Sequence, residues 1–212
     1  MRPDGVLFDL DGTLWDNTAN SAKAWADTLR AMPERPPVPT QEQIRGCCGF
    51  ALTDLAKRLL PTLPLERASE IVQECYRNEG PITRKNGGIL YPEVAETLQA
   101  LSRERPLFLI SNCSPEYLSA FFEAHGLGRY FRDSACCTDR NTTKADNITK
   151  ICGHYGLHAP VYVGDTIMDY RAAQEARCDF IFAAYGFGEV PQARWQMERF
   201  ADLPALLSAV DI

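Results

Sequence analysis

The first apolar run in the chain, Val6-Leu7-Phe8, has no polar position within it and is short, the pattern of a fully buried strand. Helical spacing then takes over. Asn17, Thr18 and Ser21 offer N-caps for a helix running to about Met32. Pro33, Pro36, Pro37 and Pro39 stop it in a stiff loop. Thr40 followed by Gln43 has the spacing of a capping box for a second helix, which Gly46-Cys47-Cys48-Gly49 interrupts. Residues 50–60 place Leu52, Leu55, Leu59 and Leu60 on one face, and Pro61 and Pro64 end that helix. A further helix is predicted over 65–77, with Gly80, Gly87 and Gly88 marking a return loop. From 17 to 88 the pattern predicts helices and no strand.

Beyond Tyr91-Pro92 the pattern changes. Val94, Leu98 and Leu101 follow at i, i+4, i+7, and Pro92 suits a first helical turn. Residues 107–110 read as a short buried strand ending at Ser111-Asn112. Ser114-Pro115 opens a helix bearing Leu118, Phe121 and Phe122, stopped at Gly126. A weak strand is predicted over 134–137. A helix follows over 144–155, with Ile148, Ile151, Cys152 and Tyr155 on one face. Val161-Tyr162-Val163 is a clear strand ending at Gly164-Asp165, followed by a helix over 168–176 and a strand over 180–182. Strands alternating with helices predict an α/β fold, a Rossmann-like parallel sheet with helices on both faces. Its core is residues 1–16 and 89–212, and 17–88 form an all-helical insertion leaving from the end of the first strand. An insertion at that position can fold back as a lid.

The 212 residues, 45% hydrophobic and 24% charged, suit one domain carrying an insertion. A net charge of −6 with no Lys/Arg-rich run gives no support for nucleic-acid binding. No apolar stretch approaches the ~18 residues of a membrane span, and the N-terminus lacks the regions of a signal peptide. A cytoplasmic protein is expected. The eight cysteines contain no C-x-x-C pair and none is followed six positions on by Arg. They read as reduced thiols packed as small hydrophobes. His125, His154 and His158 lack metal-ligand spacing, and the sequons at Asn141 and Asn147 read as chance matches.

Chemistry concentrates where strands end. Asp9 and Asp11 follow the first strand at i, i+2. Gly12 then lets backbone turn close to a ligand, and Thr13 adds a hydroxyl. Ser111-Asn112, Lys144, and Asp165 with Asp169 lie at other strand ends or helix starts. Strand carboxyl ends in an open α/β sheet face one crevice. Singly, each has a plainer reading: Asp169 complements a helix dipole, Ser111-Asn112 is a turn, Lys144 is solvated. Together, four carboxylates repel; two charges ~4 Å apart cost about 4 kcal/mol at an effective dielectric near 20. A divalent cation relieves this, and oxygen ligands beside a phosphate point to magnesium.

The stretch Asp9-Leu10-Asp11-Gly12-Thr13 resembles the first motif, DxDGT, of the haloacid dehalogenase-like superfamily. Ser111, Lys144 and Gly164-Asp165-Thr166-Ile167-Met168-Asp169 are similar to its later motifs, the last being GDxxxD. The helical insertion resembles that superfamily's C1-type cap, and the whole chain is most similar to its phosphoglycolate-phosphatase-like members. The resemblance implies Asp9 as a nucleophile forming an aspartyl-phosphate, and Asp11 as acid and then base. It implies magnesium held by Asp9, the Asp11 carbonyl, Asp165 and Asp169. Ser111, Asn112, Gly12, Thr13 and Lys144 would surround the phosphoryl group. Ala145 stands where the family often has Pro after the lysine, so Lys150 or Arg140 are alternatives to Lys144. An acid at position 11 sets the chain apart from the superfamily's dehalogenases, ATPase pumps and phosphonate hydrolases.

The loop Arg45, Gly46, Cys47, Cys48 and Gly49 is expected to face the substrate, with Arg45 either pairing with an anionic leaving group or lying on the surface. Trp15 packs between lid and core or fills the core. The expected function is magnesium-dependent hydrolysis of a small phosphorylated metabolite, phosphoglycolate being one candidate. A phosphomutase of the β-phosphoglucomutase type and a non-catalytic binding protein are the alternatives. Oligomeric state is left open.

Overall fold

The structure, a computed structural model, describes residues 2–136 and 142–209. Its strands are β1 (Gly5–Phe8), β2 (Trp15–Asp16), β3 (Ile89–Leu90), β4 (Leu107–Ser111), β5 (Asp133–Cys136), β6 (Pro160–Gly164), β7 (Asp179–Ala183) and β8 (Trp195–Met197). The helices are α1 (Thr18–Ala31), α2 (Gln41–Arg45), α3 (Leu52–Leu59), α4 (Leu65–Asn86), α5 (Val94–Leu101), α6 (Pro115–His125), α7 (Lys144–Tyr155), α8 (Ile167–Glu175) and α9 (Leu203–Ala209).

Six parallel strands form one sheet in the order β5-β4-β1-β6-β7-β8. β1 is apolar throughout because both of its faces are covered. Val6 and Phe8 pack with Val94, Leu98, Tyr117, Phe121 and Leu203, from α5, α6 and α9. Leu7, pointing the other way, packs with Ile148, Ile151, Ala172 and Ala173 of α7 and α8. The chain winds from β1 outward to β5, then returns to β6 on the other side of β1. That reversal opens a crevice at the carboxyl ends of the strands. Register aligns those ends, with Phe8 opposite both Leu109 and Val163.

Helices α1 to α4 have a core of their own, centred on Trp25, Leu29, Leu55, Ile71, Val72 and Cys75. Thr40 and Gln43 complete the expected capping box on α2. The helix predicted over 65–77 instead runs to Asn86, through Gly80 and Pro81. Burial of Glu79, Gly80 and Thr83 holds it: Thr83 accepts a hydrogen bond from Asn17, and Gly80 lies against Glu116 of α6. Pro81 and Arg77, the residue whose carbonyl loses its donor, are on the exposed face, where water can replace that bond.

Two further elements are absent from the sequence pattern. β2 and β3 pair antiparallel where the chain leaves for α1 and returns from α4, Trp15 opposite Leu90 and Asp16 opposite Ile89. β8 adds the outer strand beside β7. Both are too short to show a period. β5 covers the predicted weak strand, whose last residue, Cys137, lies outside the described residues together with Arg140 and Asn141. The described cysteines are free thiols. Among the described residues no helix is long and apolar enough to cross a membrane.

Candidate active site

Asp9 is the first residue past β1, Asp165 the first past β6, Lys144 the first of α7, and Asp169 lies in the opening turn of α8. The aligned strand ends bring them together. Carboxylate oxygens of Asp9, Asp165 and Asp169 all lie within 4.8 Å of one another, and all three residues are buried. Lys144 Nζ donates to Asp9 Oδ1 at 2.8 Å and to Asp169 Oδ1 at 2.6 Å. Asp169 Oδ2 accepts from the Thr166 amide and hydroxyl while the Asp169 amide donates back to Thr166 Oγ1. That reciprocal cap starts α8 and fixes the carboxylate at once.

Asp165 accepts from the Phe187 amide at 2.8 Å and from the Thr13 hydroxyl at 3.2 Å. Gly12, at φ +85°, lies so close that a Cβ there would stand 2.0 Å from Asp165 Oδ2. Gly186 closes the other side, where a Cβ would be 2.2 Å from Asp165 Cβ. Gly12 and Thr13 thus act behind Asp165 and do not line the cavity.

Asp11 is held by two donors on one oxygen, Tyr117 Oη at 2.6 Å and Trp15 Nε1 at 3.0 Å. Trp15 is fully buried against the rings of Tyr117, Phe121 and His125. It sits in the core and reaches the site through its N–H. Burial pushes the Asp11 carboxyl up to about 6, against the pull of Tyr117 and Trp15. Burial, followed by the charge of Asp169, pushes Asp9 up to about 7, with Lys144 opposing. Burial and the neighbouring charges of Asp169 and Asp9 drive Asp165 well above the carboxylate range. Burial works against the Lys144 ammonium, but Asp169 and Asp9 outweigh it and hold its pKa well above the ordinary value.

This donor set fits a hard dication. It offers only oxygen, from three buried carboxylates, and a single buried ammonium balances only part of their charge. A partly open cavity of about 70 Å³ adjoins the site, between the sheet and the helical unit. Asp9, Asp11, Ser111 and Asn112 line it from below, and Cys47, Cys48 and Gly49 from the loop after α2. Asn112 Nδ2 donates to the Gly49 carbonyl at 2.8 Å, tying the two halves together. Arg45 and Gly46 do not line it. Arg45 pairs with Asp16 at 2.6 Å and lies over the Phe187 ring. Lys150 is exposed.

Sequence reasoning missed Tyr117, the Phe187 amide and Glu79. Glu79 had a signal: Ile71, Val72 and Cys75 define a buried face of α4, and Glu79 continues it at i+4 from Cys75.

A parallel sheet wound in this way, with a carboxylate cluster and a lysine gathered at the ends of its central strands, defines a class of α/β enzymes acting on anionic groups. The chain belongs to the haloacid dehalogenase-like hydrolase family, whose model matches residues 6–183. It is an enzyme of that family's phosphatase type. It is similar to the phosphoglycolate phosphatase of Pectobacterium atrosepticum, 27% identical over 216 residues covering 96% of this chain and 92% of the relative. That of Yersinia pseudotuberculosis is 29% identical over 191 residues, covering 86% and 82%. A predicted phosphoglycolate phosphatase of Haemophilus somnus shares the fold at a TM-score of 0.84 and 22% identity, over 97% of this chain and 98% of that one. So does a predicted phosphatase of Clostridium acetobutylicum, at a TM-score of 0.84 and 19% identity, over 99% and 100%.

Proposed function

We propose that the protein hydrolyses a small phosphate monoester with magnesium, through an aspartyl-phosphate on Asp9, in the cytoplasm. The observation that carries this reading is the placement of Asp9 beside Asp165, Asp169 and Lys144, with Asp11 on the same cavity. Asp9, Asp165, Asp169 and the Asp11 carbonyl would hold the ion, which supplies positive charge to the carboxylates and to the phosphoryl oxygens. Asp9 attacks phosphorus and the P–O bond to the leaving group breaks. Asp11 gives its proton to that departing oxygen, then takes one from the water that cleaves the aspartyl-phosphate and releases inorganic phosphate. A carboxyl near 6 is suited to both transfers. Tyr117 and Trp15 orient it. Lys144 holds Asp9 in line and offsets charge, and Ser111 and Asn112 receive phosphoryl oxygens. Residues 17–88 act as a lid on the core of 1–16 and 89–212, a reading supported by the cavity that both line and by the Asn112–Gly49 hydrogen bond.

The test is phosphate release from a panel of phosphorylated metabolites, with magnesium and with chelator, by the protein and by Asp9→Asn. Release is expected only with magnesium, and Asp9→Asn should lose it by about three orders of magnitude or more while staying folded. Near-native turnover in that variant would overturn the reading. Isomerised sugar phosphate without net phosphate release would make the protein a mutase.

A further inference from the structure

The cavity wall facing Asp9 and Asp11 is built by α1, α4 and the loop after α2, and the mechanism above assigns it nothing. Its character is set by Glu79, Ser21, Trp25, Tyr76 and Cys48. Among the described residues no Lys, Arg or His lines this cavity. Glu79 is buried, and its carboxyl accepts hydrogen bonds from Trp25 Nε1 and from Ser21. Burial, with the charge of Asp11 adding to it, pushes Glu79 up to about 8. The arginine nearest in sequence to the loop, Arg45, is committed to Asp16 outside the cavity. Arg77, Arg171 and Lys144 line an adjoining cleft of about 740 Å³, which shares Gly49, Phe50, Tyr76, Asn112 and Cys113 with this cavity but contains neither Asp9 nor Asp11 nor Glu79.

An ester with its phosphorus at Asp9 and its leaving oxygen at Asp11 presents the rest of the leaving group to this wall. A carboxylate against this wall would find no cation among the lining residues and would face two carboxyl groups, Glu79 and Asp11. An unpaired buried charge of that kind is strongly disfavoured. A hydroxyl instead brings a donor to Glu79 and keeps its hydrogen bonding, and an ammonium brings donors while its charge favours the ionised forms of Glu79 and Asp11 rather than opposing them.

We infer that the leaving group is a small uncharged or cationic alcohol whose hydroxyl or ammonium donates to Glu79, and that carboxylate-bearing alcohols, glycolate included, are selected against. This rests on the phosphatase reading above and narrows it.

The experiment measures kcat/KM of the full chain with magnesium for phosphoethanolamine, glycerol phosphate and phosphoglycolate, with p-nitrophenyl phosphate as reference. At least one of the first two should exceed phosphoglycolate tenfold or more. In Glu79→Gln, checked for folding by circular dichroism, that ratio should fall at least tenfold. The wild-type ratio stands by itself if the variant misfolds. A phosphoglycolate value equal to or above both others overturns the inference, as does a ratio unmoved in Glu79→Gln or cleavage of p-nitrophenyl phosphate alone. Failure to cleave any ester, p-nitrophenyl phosphate included, overturns the phosphatase reading itself.

Discussion

Lys144 reaches Asp9 across 135 positions of sequence, its ammonium 2.8 Å from Asp9 Oδ1 and only 2.6 Å from Asp169. Both contacts are buried, so the lysine is the counterion that lets these carboxylates share one crevice. Replacing it with methionine keeps the length and removes the charge. Lys144→Met should lower the rate by about a hundredfold or more. Breaking a buried pair of this kind costs about 3–5 kcal/mol, so its thermal midpoint should fall as well. Steady-state rates and thermal melts of this variant beside Lys150→Ala check it. The exposed Lys150 should change neither.

The carboxylates also predict how the protein responds to the ion. Magnesium binding the folded state alone raises stability by mass action. The melting temperature should rise with magnesium concentration and fall back with chelator. Asp165→Asn should blunt that rise, since it removes one of the three clustered oxygens' charges. Titrating magnesium during thermal melts of both proteins reads this out without any substrate.

Asp11 makes a prediction about pH. Its hydrogen bond from Tyr117 stabilises the ionised carboxylate and opposes the rise to about 6 that burial causes. Tyr117→Phe removes that donor, so the Asp11 pKa must go up. With an ester whose leaving group needs a proton, the acid form is the active one. The alkaline limb of the kcat/KM profile should therefore move to higher pH in Tyr117→Phe. A limb that stays or moves down would remove Asp11 as the acid.

Glu79 makes a separate prediction about stability. Burial raises its pKa from an ordinary value of 4.5 to about 8. The folded state thus holds a proton that the unfolded chain releases, and stability declines as pH rises across that window. Below it the residue contributes no penalty; above it the penalty is complete. Glu79→Gln should flatten the fall in melting temperature between pH 5 and 9, and should be relatively more stable at the alkaline end. Melts in chelator across that range test it.

Much of the fold was legible because its signals are local. The buried run of β1, the capping box at Thr40 and Gln43, and the alternation of strand and helix after Tyr91 need only neighbouring residues to be recognised. The helix through Gly80 and Pro81 was not, because its last turns are held by Asn17 and α6, far away in sequence. The ribbon of Trp15 and Asp16 with Ile89 and Leu90 shows no period of its own because each of its strands is only 2 residues long.

For the site, the order of residue types along the chain grouped Asp9, Asp11, Asp165 and Asp169 at one edge, since strand ends in a parallel sheet share it, and left Lys144 as one of three candidate basic residues beside Lys150 and Arg140. Only the tertiary structure decided what each one touches. It turned Arg45 to Asp16, placed Gly12 and Thr13 behind Asp165, gave Asp11 its two donors, and put Glu79 in the wall of the cavity. A sequence records which face of an element is apolar and where its backbone can turn. The partner that a buried charge meets depends on how whole elements pack, and that is settled by the summed contacts of residues far apart in the chain.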